Sequence, residues 1–346
     1  MKLRGVLLGA GNIALRGHAP QWAGPLSDAV EIVAVADLSK TNREAARAIF
    51  PDARLYESAE AALNTETPDF VDICTPPFTH HDLIAKAAGR GIHMVCEKPL
   101  APSLDEALEI ARRVREARVV FQPCHQYNYS PAWRVVRDLI PRLGPIHFAE
   151  YTVMRTAANE GNAHWAPEWR TRRDFAGGGI LVDHGAHILY QLRSVMGEAR
   201  AVSATIRTLL HHSYGVEDTA LLTLDHGKAL AQLSLSWAAK RREIAFRFVG
   251  EHGELVGDEE KIQILAKTRE EIPLEGMSAN SSHSEWFAPL FSEFVALVKG
   301  GDLDPSAMEE ALYVARVTEC AYASSRSGRV MLMEQEPTEA LAGGSR

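Results

Sequence analysis

The chain has 346 residues, of which 46% are hydrophobic and 24% charged, with a formal net charge of −8. That length exceeds the ~250–300 residues at which a single core usually stops growing, so two domains are expected. The acidic balance argues against a nucleic-acid partner, and no apolar run approaches the ~20 residues of a membrane span.

Met1-Lys2-Leu3-Arg4 leads straight into an apolar strand pattern, with no signal-peptide core. Leu3–Leu8 is the first apolar run and ends at Gly9; Glu31–Ala36 is the second and ends at Asp37. Arg54–Tyr56, Phe70–Cys74, His93–Cys96 and Val119–Phe121 follow. Runs of this length, bounded by turn residues, suit strands buried on both faces of a parallel sheet. Helical stretches lie between them. Thr41-x-x-Glu44 reads as a capping box, Asp82–Gly91 as a helix closed by glycine, and Ser103-x-x-Glu106 as a second capping box. This alternation, lasting to about residue 122, predicts a doubly wound α/β domain over residues 1–122.

After Gln122-Pro123 the pattern changes. A helix is expected over Ala132–Ile140, stopped by Pro141. Alternating segments follow at Ile146–Met154, Ala201–Leu209, Ala220–Leu224, Ala229–Trp237 and Ile244–Val249, with Asp225-His226-Gly227-Lys228 as a hairpin turn. Strands joined by short turns predict an antiparallel sheet and an α+β domain over 123–336, with Ser306-x-x-Glu309 capping a late helix. The glycine-rich end, 337–346, reads as a disordered tail. Cys74, Cys96, Cys124 and Cys320 show neither metal spacing nor a disulfide pattern, which suits a reduced, cytoplasmic protein without a metal.

Three features carry chemistry. Gly9-x-Gly11-x-x-Ala14 follows a strand and opens a helix: Gly9 permits the tight turn, Gly11 lets a pyrophosphate reach the backbone, and Ala14 packs close. Asp37, at the end of the second strand, can accept both ribose hydroxyls of NAD and would repel the 2′-phosphate of NADP, although Lys40 and Arg43 lie near enough in sequence to soften this. Thr75-Pro76-Pro77 should border the nicotinamide half, because ligands of open α/β sheets gather at the carboxyl ends of strands. Glu97-Lys98-Pro99 ends another strand, and a lysine there can donate to a substrate hydroxyl and help relay its proton. The stretch from Gly177 to His187 is the third. Its glycines clear room for a ligand or a backbone crossing, and Asp183 and His187, four apart, share a helix face from which His184 points away. An imidazole titrating near ~6.5 suits a base for a secondary alcohol.

Together the glycine loop, Thr75–His80, Glu97-Lys98-Pro99 and the GGGxLxDxGxH stretch resemble the glucose–fructose oxidoreductase, inositol dehydrogenase and rhizopine-catabolism (Gfo/Idh/MocA) family over residues 3–330. The resemblance implies a Rossmann domain followed by a large open, mainly antiparallel sheet that serves dimer or tetramer assembly. It implies NAD(P)-dependent oxidation of a hydroxyl on a sugar, cyclitol or related polyhydroxylated compound. On this reading Gly9, Gly11, Asn12, Ile13, Asp37, Thr75, Pro76, Pro77, His80, Glu97, Lys98 and Gln126 hold the cofactor. His187 takes the hydroxyl proton, Lys98 stabilises the alkoxide, Asp183 orients the substrate, and Tyr127, Trp165 and Arg170 complete the pocket, with His125 and His283 as further candidates. Two positions depart from the family: Asn128, where many relatives carry arginine, and Tyr190, where many carry an acid. The rival readings are a lyase or glycosidase that cycles a bound NAD, and a nucleotide-sensing regulator without turnover.

Overall fold

Valine- and isoleucine-rich runs form the first sheet: β1 (Leu3–Leu8), β2 (Val30–Ala36), β3 (Arg54–Tyr56), β4 (Phe70–Ile73), β5 (His93–Cys96) and β6 (Phe121–Pro123). The structure is a computed structural model and describes residues 1–274 and 282–333. The six strands are parallel, in the order β3-β2-β1-β4-β5-β6, so the winding reverses between β1 and β4 and opens a crevice at their carboxyl ends. Both faces are covered, which is why the strands read as continuous apolar runs. Val6, Leu8, Val71 and Ile73 join one core; Leu7, Val35, Phe70 and Val95 join another on the opposite face.

Several helix starts differ from the sequence expectation, for local reasons. The helix Lys40–Ile49 is capped by Ser39, whose Oγ accepts the Asn42 N–H at 3.3 Å, so Thr41 already lies inside it. The helix expected over Asp82–Gly91 runs His80–Ala88 instead. Ser103 caps Leu104–Ala117 as expected. Ser130 caps Pro131–Leu139, one residue earlier than expected; the helix ends before Pro141, which then enters a 3-10 turn, Ile140–Leu143, near a start where its missing N–H is not needed. Ser306 is the first residue of the helix Ser306–Ser327 rather than its cap; its N–H and hydroxyl both donate to Asp304.

The second sheet contains β7 (Ile146–Met154), β8 (Ala201–Arg207), β9 (Thr219–Asp225), β10 (Leu230–Ser236), β11 (Glu243–Gly250), β12 (Gly253–Asp258), β13 (Lys261–Leu265), β14 (Arg269–Pro273) and β15 (Met331–Leu332). Their order is β14-β13-β12-β11-β7-β10-β9-β8-β15, antiparallel throughout except for the parallel pair β7–β10. The hairpin between β9 and β10 turns at Gly227, as its sequence suggested. The strands β12–β14 were not among the expected segments: β13 does alternate, burying Ile262 and Ile264, and the charged Arg269-Glu270-Glu271 of β14 pairs with it at the sheet edge. One face of this sheet packs on the helices Pro131–Leu139, Ala186–Met196 and Ser306–Ser327 through Trp133, Leu189, Tyr190, Tyr313 and Val317. Leu221 and Leu230, on the other face, are exposed.

The chain then returns to the first sheet. The helix Phe287–Gly300 buries Phe287, Phe291 and Phe294 beside Leu7, Trp22 and Phe70, and Phe291 stacks on Trp22 with centroids 4.1 Å apart. Ser306–Ser327 touches both sheets, through Met308, Ala311 and Leu312 on one side and Tyr313, Val314 and Val317 on the other. The crevice therefore sits between two tied layers. The expected tail at 337–346 lies outside the described residues.

Phe291→Ala should lower unfolding stability by about 3–5 kcal/mol in urea titrations, the usual cost of emptying a buried aromatic site. A loss below about 1 kcal/mol would show that the returning helix is not part of the first core.

Candidate active site

The carboxyl ends of β1, β2, β4 and β5 form one wall of the cleft. The 3-10 turn Gln126–Tyr129, the segment 159–170 and the turn Leu181–Gly185 form the other. Gly9, Gly11, Asn12, Ile13, Asp37, Thr75, Pro76, Pro77, Glu97, Lys98, Gln126, Tyr127, Trp165, Arg170, Asp183 and His187 all line it. His80 does not. It is fully buried, with Nε2 2.8 Å from the Thr75 carbonyl and Nδ1 3.1 Å from that of Pro99, so it braces the Thr75 turn against the loop after Lys98. Burial lowers its pKa.

The end facing β1 and β2 is built for a dinucleotide. A side chain added at Gly11 would meet nothing within 4 Å, so the loop backbone there is open to the cleft, whereas Gly9, at φ +91°, is pressed against Thr75. The Asp37 carboxylate accepts the Ala10 N–H at 2.6 Å and the Ser39 N–H at 2.7 Å, tying the glycine loop to the next helix while still lining the cleft. It is not a helix cap, since Ser39 has that role. Arg43 is held by the Asp37 and Leu38 carbonyls and by Glu57, and Lys40 is exposed. At the other end Gln126 is buried, and its Oε1 has no hydrogen-bond partner among the described residues. An open glycine backbone, an acid beyond the second strand and an unmet amide at the far end fit a dinucleotide's phosphates, ribose and carboxamide.

At the far end two lobes meet through charge. Lys98 Nζ donates to the Asp183 carbonyl at 2.7 Å and to its Oδ1 at 3.0 Å. Arg170 Nε lies 3.8 Å from the same oxygen, and His184 Nδ1 lies 3.3 Å from Oδ2. Burial alone would raise the Asp183 carboxyl, but Lys98, His184 and Arg170 outweigh it and hold the group well below the usual carboxylate range. His184 was expected to point elsewhere; it lines the cleft. Leu181–Gly185 is a π-helical turn, and its wider winding brings Asp183 and His184 to the same side. Burial holds His184 at about 4 despite the carboxylate beside it.

His187 makes no hydrogen bond to Asp183. Its Nδ1 lies 2.7 Å from the Tyr190 hydroxyl, and its ring stacks on Tyr127 with centroids 4.0 Å apart. Burial, followed by the charges of Lys98 and His184, keeps it well below the ordinary histidine pKa and so neutral at neutral pH. The two departures are thus accounted for structurally: Tyr190 meets His187, and Asn128 donates to Glu310, which also meets His125 Nδ1 at 2.5 Å. His125 and His283 do not line the cleft, and His283 instead stacks on Trp286 at 3.7 Å.

The glycines 177–179 serve a backbone crossing rather than the ligand. An added side chain at Gly179 would sit 1.8 Å from the Glu217 carbonyl oxygen, and at Gly178 1.9 Å from the Tyr322 hydroxyl. Sequence reading missed Phe78, Asn159, Asn162 and Trp169, which also line the cleft. Asn162 donates to Asn12 at 3.3 Å, laying its segment over the glycine loop, and Arg170 lies over Trp169 at 4.4 Å. This segment has no periodicity, so only its density of tryptophan and asparagine could have marked it.

Sequence reading also missed His18, buried beneath the reacting end. Its Nδ1 is 3.0 Å from both Asp72 carboxylate oxygens and its Nε2 is 3.0 Å from Glu97 Oε1; Trp22 Nε1 donates to Asp72 at 2.7 Å. Glu97 in turn accepts the Lys98 backbone N–H at 3.1 Å. Burial opposes the imidazolium, but two flanking carboxylates push His18 up to about 9.

Two family models match this chain: the oxidoreductase family with an NAD-binding Rossmann fold over residues 3–125, and the GFO/IDH/MocA C-terminal domain over residues 133–256. The chain belongs to the GFO/IDH/MocA oxidoreductase family. Among relatives of this oxidoreductase, the D-apiose dehydrogenase of Paraburkholderia graminis is 27% identical over 99% of this chain and 92% of its own length. The scyllo-inositol 2-dehydrogenase (NADP(+)) of Bacillus subtilis is 23% identical over 90% and 92%. An oxidoreductase from Agrobacterium radiobacter, solved with NAD+, L-tartaric acid and magnesium, shares the fold with a TM-score of 0.83, at 19% identity over 96% of this chain and 99% of that one.

His18 has a raised folded-state pKa, so its stabilising contribution is complete below about 6.5 and is lost as pH rises through about 9. Thermal melts of this oxidoreductase should therefore fall in Tm between those values, and His18→Gln should flatten that slope. Parallel slopes in the two proteins would exclude a buried imidazolium.

Proposed function

We propose that this oxidoreductase is an NAD-dependent dehydrogenase interconverting a secondary hydroxyl and a ketone on a polyhydroxylated small molecule, a sugar, cyclitol or derivative. One observation carries the reading: Lys98 from the first lobe and His187 from the second line the same cleft that Gly11 leaves open to a dinucleotide. The names of its relatives, D-apiose dehydrogenase and scyllo-inositol 2-dehydrogenase, support the substrate class.

Nicotinamide, when bound, accepts or returns the hydride. The chain's own residues then have separable tasks. Lys98, held by Asp183, presents an N–H to the substrate oxygen; His187 presents its ring from the other side; Asp183 and Arg170 receive neighbouring hydroxyls. Donors fixed before the reaction stabilise the alkoxide without reorganising, which is where most of the rate comes from. Asp37 favours NAD, because its carboxylate would repel a 2′-phosphate and the nearby Arg43 is already committed to carbonyls and Glu57. The exposed face of the second sheet, with Leu221 and Leu230, is the surface proposed for a homodimer or homotetramer. Among the described residues no helix is long and apolar enough to cross a membrane.

Lys98→Ala should leave NADH binding, followed by fluorescence, within about threefold while kcat falls by roughly 10²–10⁴ on any accepted polyol. Undiminished turnover would remove Lys98 from the reaction. NADH formed in proportion to substrate, rather than NAD recycled without accumulation, separates a dehydrogenase from a lyase or glycosidase; no turnover on a broad panel would favour a regulator. Asp37→Ser should raise kcat/KM for NADP relative to NAD by about tenfold or more, a gain of roughly 1.4 kcal/mol in discrimination.

A further inference from the structure

The position of one phenolic proton decides what His187 can do. Tyr190 is fully buried in the helix Ala186–Met196. Its oxygen accepts the Tyr127 backbone N–H at 3.2 Å and lies 2.7 Å from His187 Nδ1. No other acceptor for its proton lies within hydrogen-bonding distance among the described residues: the stacked His125 directs Nδ1 to Glu310 instead. A buried hydroxyl proton without an acceptor is costly, so the Tyr190 O–H points at Nδ1. A nitrogen that accepts carries no proton. A neutral His187 therefore bears its hydrogen on Nε2, which has no protein partner among the described residues and belongs to a ring lining the cleft.

We propose that Tyr190 is a positioning residue that locks His187 in the Nε2–H tautomer, so that His187 donates a hydrogen bond to the substrate oxygen and Lys98 is the group that exchanges the proton. The catalytic part rests on the dehydrogenase reading above; the tautomer does not. Lys98 spends two of its three ammonium protons on Asp183 and keeps one. The site thus presents two N–H donors to one oxygen, the arrangement a carbonyl or alkoxide needs. In ketone reduction, hydride from the reduced nicotinamide cofactor bonds to the carbonyl carbon and the C=O π pair moves to oxygen. The oxygen takes a proton as a Lys98 N–H bond breaks, leaving an amine that solvent reprotonates. Alcohol oxidation reverses each step: the O–H proton passes to a neutral Lys98 amine, which must first have lost its own. His187 keeps its proton throughout. The charged and titratable groups facing His187 are Lys98 from the first lobe, Asp183 and His184 from the π turn, and His125, Tyr127 and Tyr190; Arg170 faces Asp183.

The tautomer can be read directly in the whole protein. Long-range ¹H–¹⁵N correlation spectra of ¹⁵N-histidine-labelled protein, with His187 identified by the signal lost in His187→Gln, should show Nε2 protonated and Nδ1 unprotonated, with or without NADH. Nδ1 protonation in either state overturns the proposal. Tyr190→Glu puts an acceptor where the phenol donates, so Nδ1 should take the proton and free Nε2 as a base. Its oxidation kcat/KM should then fall about tenfold per pH unit below a histidine-range pKa near ~6.5, a limb absent from the wild-type profile. A wild-type oxidation profile that already shows this limb also defeats the proposal. Absence of turnover on every polyol and ketose tested would remove the dehydrogenase reading instead, while the spectra would still decide the tautomer.

Discussion

The contact between Lys98 and Asp183 is the constraint on which the rest of the reacting centre depends. The lysine ends β5 of the parallel sheet, and the carboxylate lies in a π turn of the other lobe. Both are largely removed from water, and a charge buried without a partner is far more costly than a buried pair. Closing this contact therefore brings the two lobes into register, points the ammonium at the cleft and keeps Asp183 ionised. Every other reactive group takes its place from it: His184 sits against the carboxylate, Arg170 approaches from the covering segment, and His187 lies one turn further on.

Beneath that contact lies a second buried charge system, with His18 between Asp72 and Glu97. Glu97 is the residue before Lys98, and its carboxylate accepts the Lys98 backbone N–H. The imidazole thus braces the backbone from which Lys98 extends into the cleft, and it pairs an acid that would otherwise stand bare there. Aromatic packing from Phe287 and Phe291 of the returning helix seals this system, so the C-terminal segment supports the cleft from beneath.

Much of this was legible in the sequence where local rules dominate. A glycine turn after a strand, an acid at the end of the next strand and a lysine at the end of a buried strand place three groups at one sheet edge, because parallel strands all deliver their carboxyl ends to the same side. Where competing local partners exist, the reading slipped. Ser39 rather than Thr41 caps its helix, since the residue that accepts the first amides must itself be extended. The edge strand β14 was missed because its charges, Arg269-Glu270-Glu271, conceal a strand pattern. The triple glycine was left between a ligand and a crossing, and only the Glu217 carbonyl and Tyr322 decide for the crossing.

What the amino-acid sequence by itself determined is the inventory and order of chemistry: a dinucleotide loop, an acid, a lysine, then an aspartate and a histidine one turn apart on an inward helix. These follow from backbone periodicity and turn preferences, which are local. What only the tertiary structure decided is pairing. Asp183 belongs to Lys98 and not to His187, His187 belongs to Tyr190, His80 braces two loops, and His18 is a buried cation. Hydrogen-bond partners and protonation states depend on which groups are excluded from water together, and that is settled only when the two lobes close on one another.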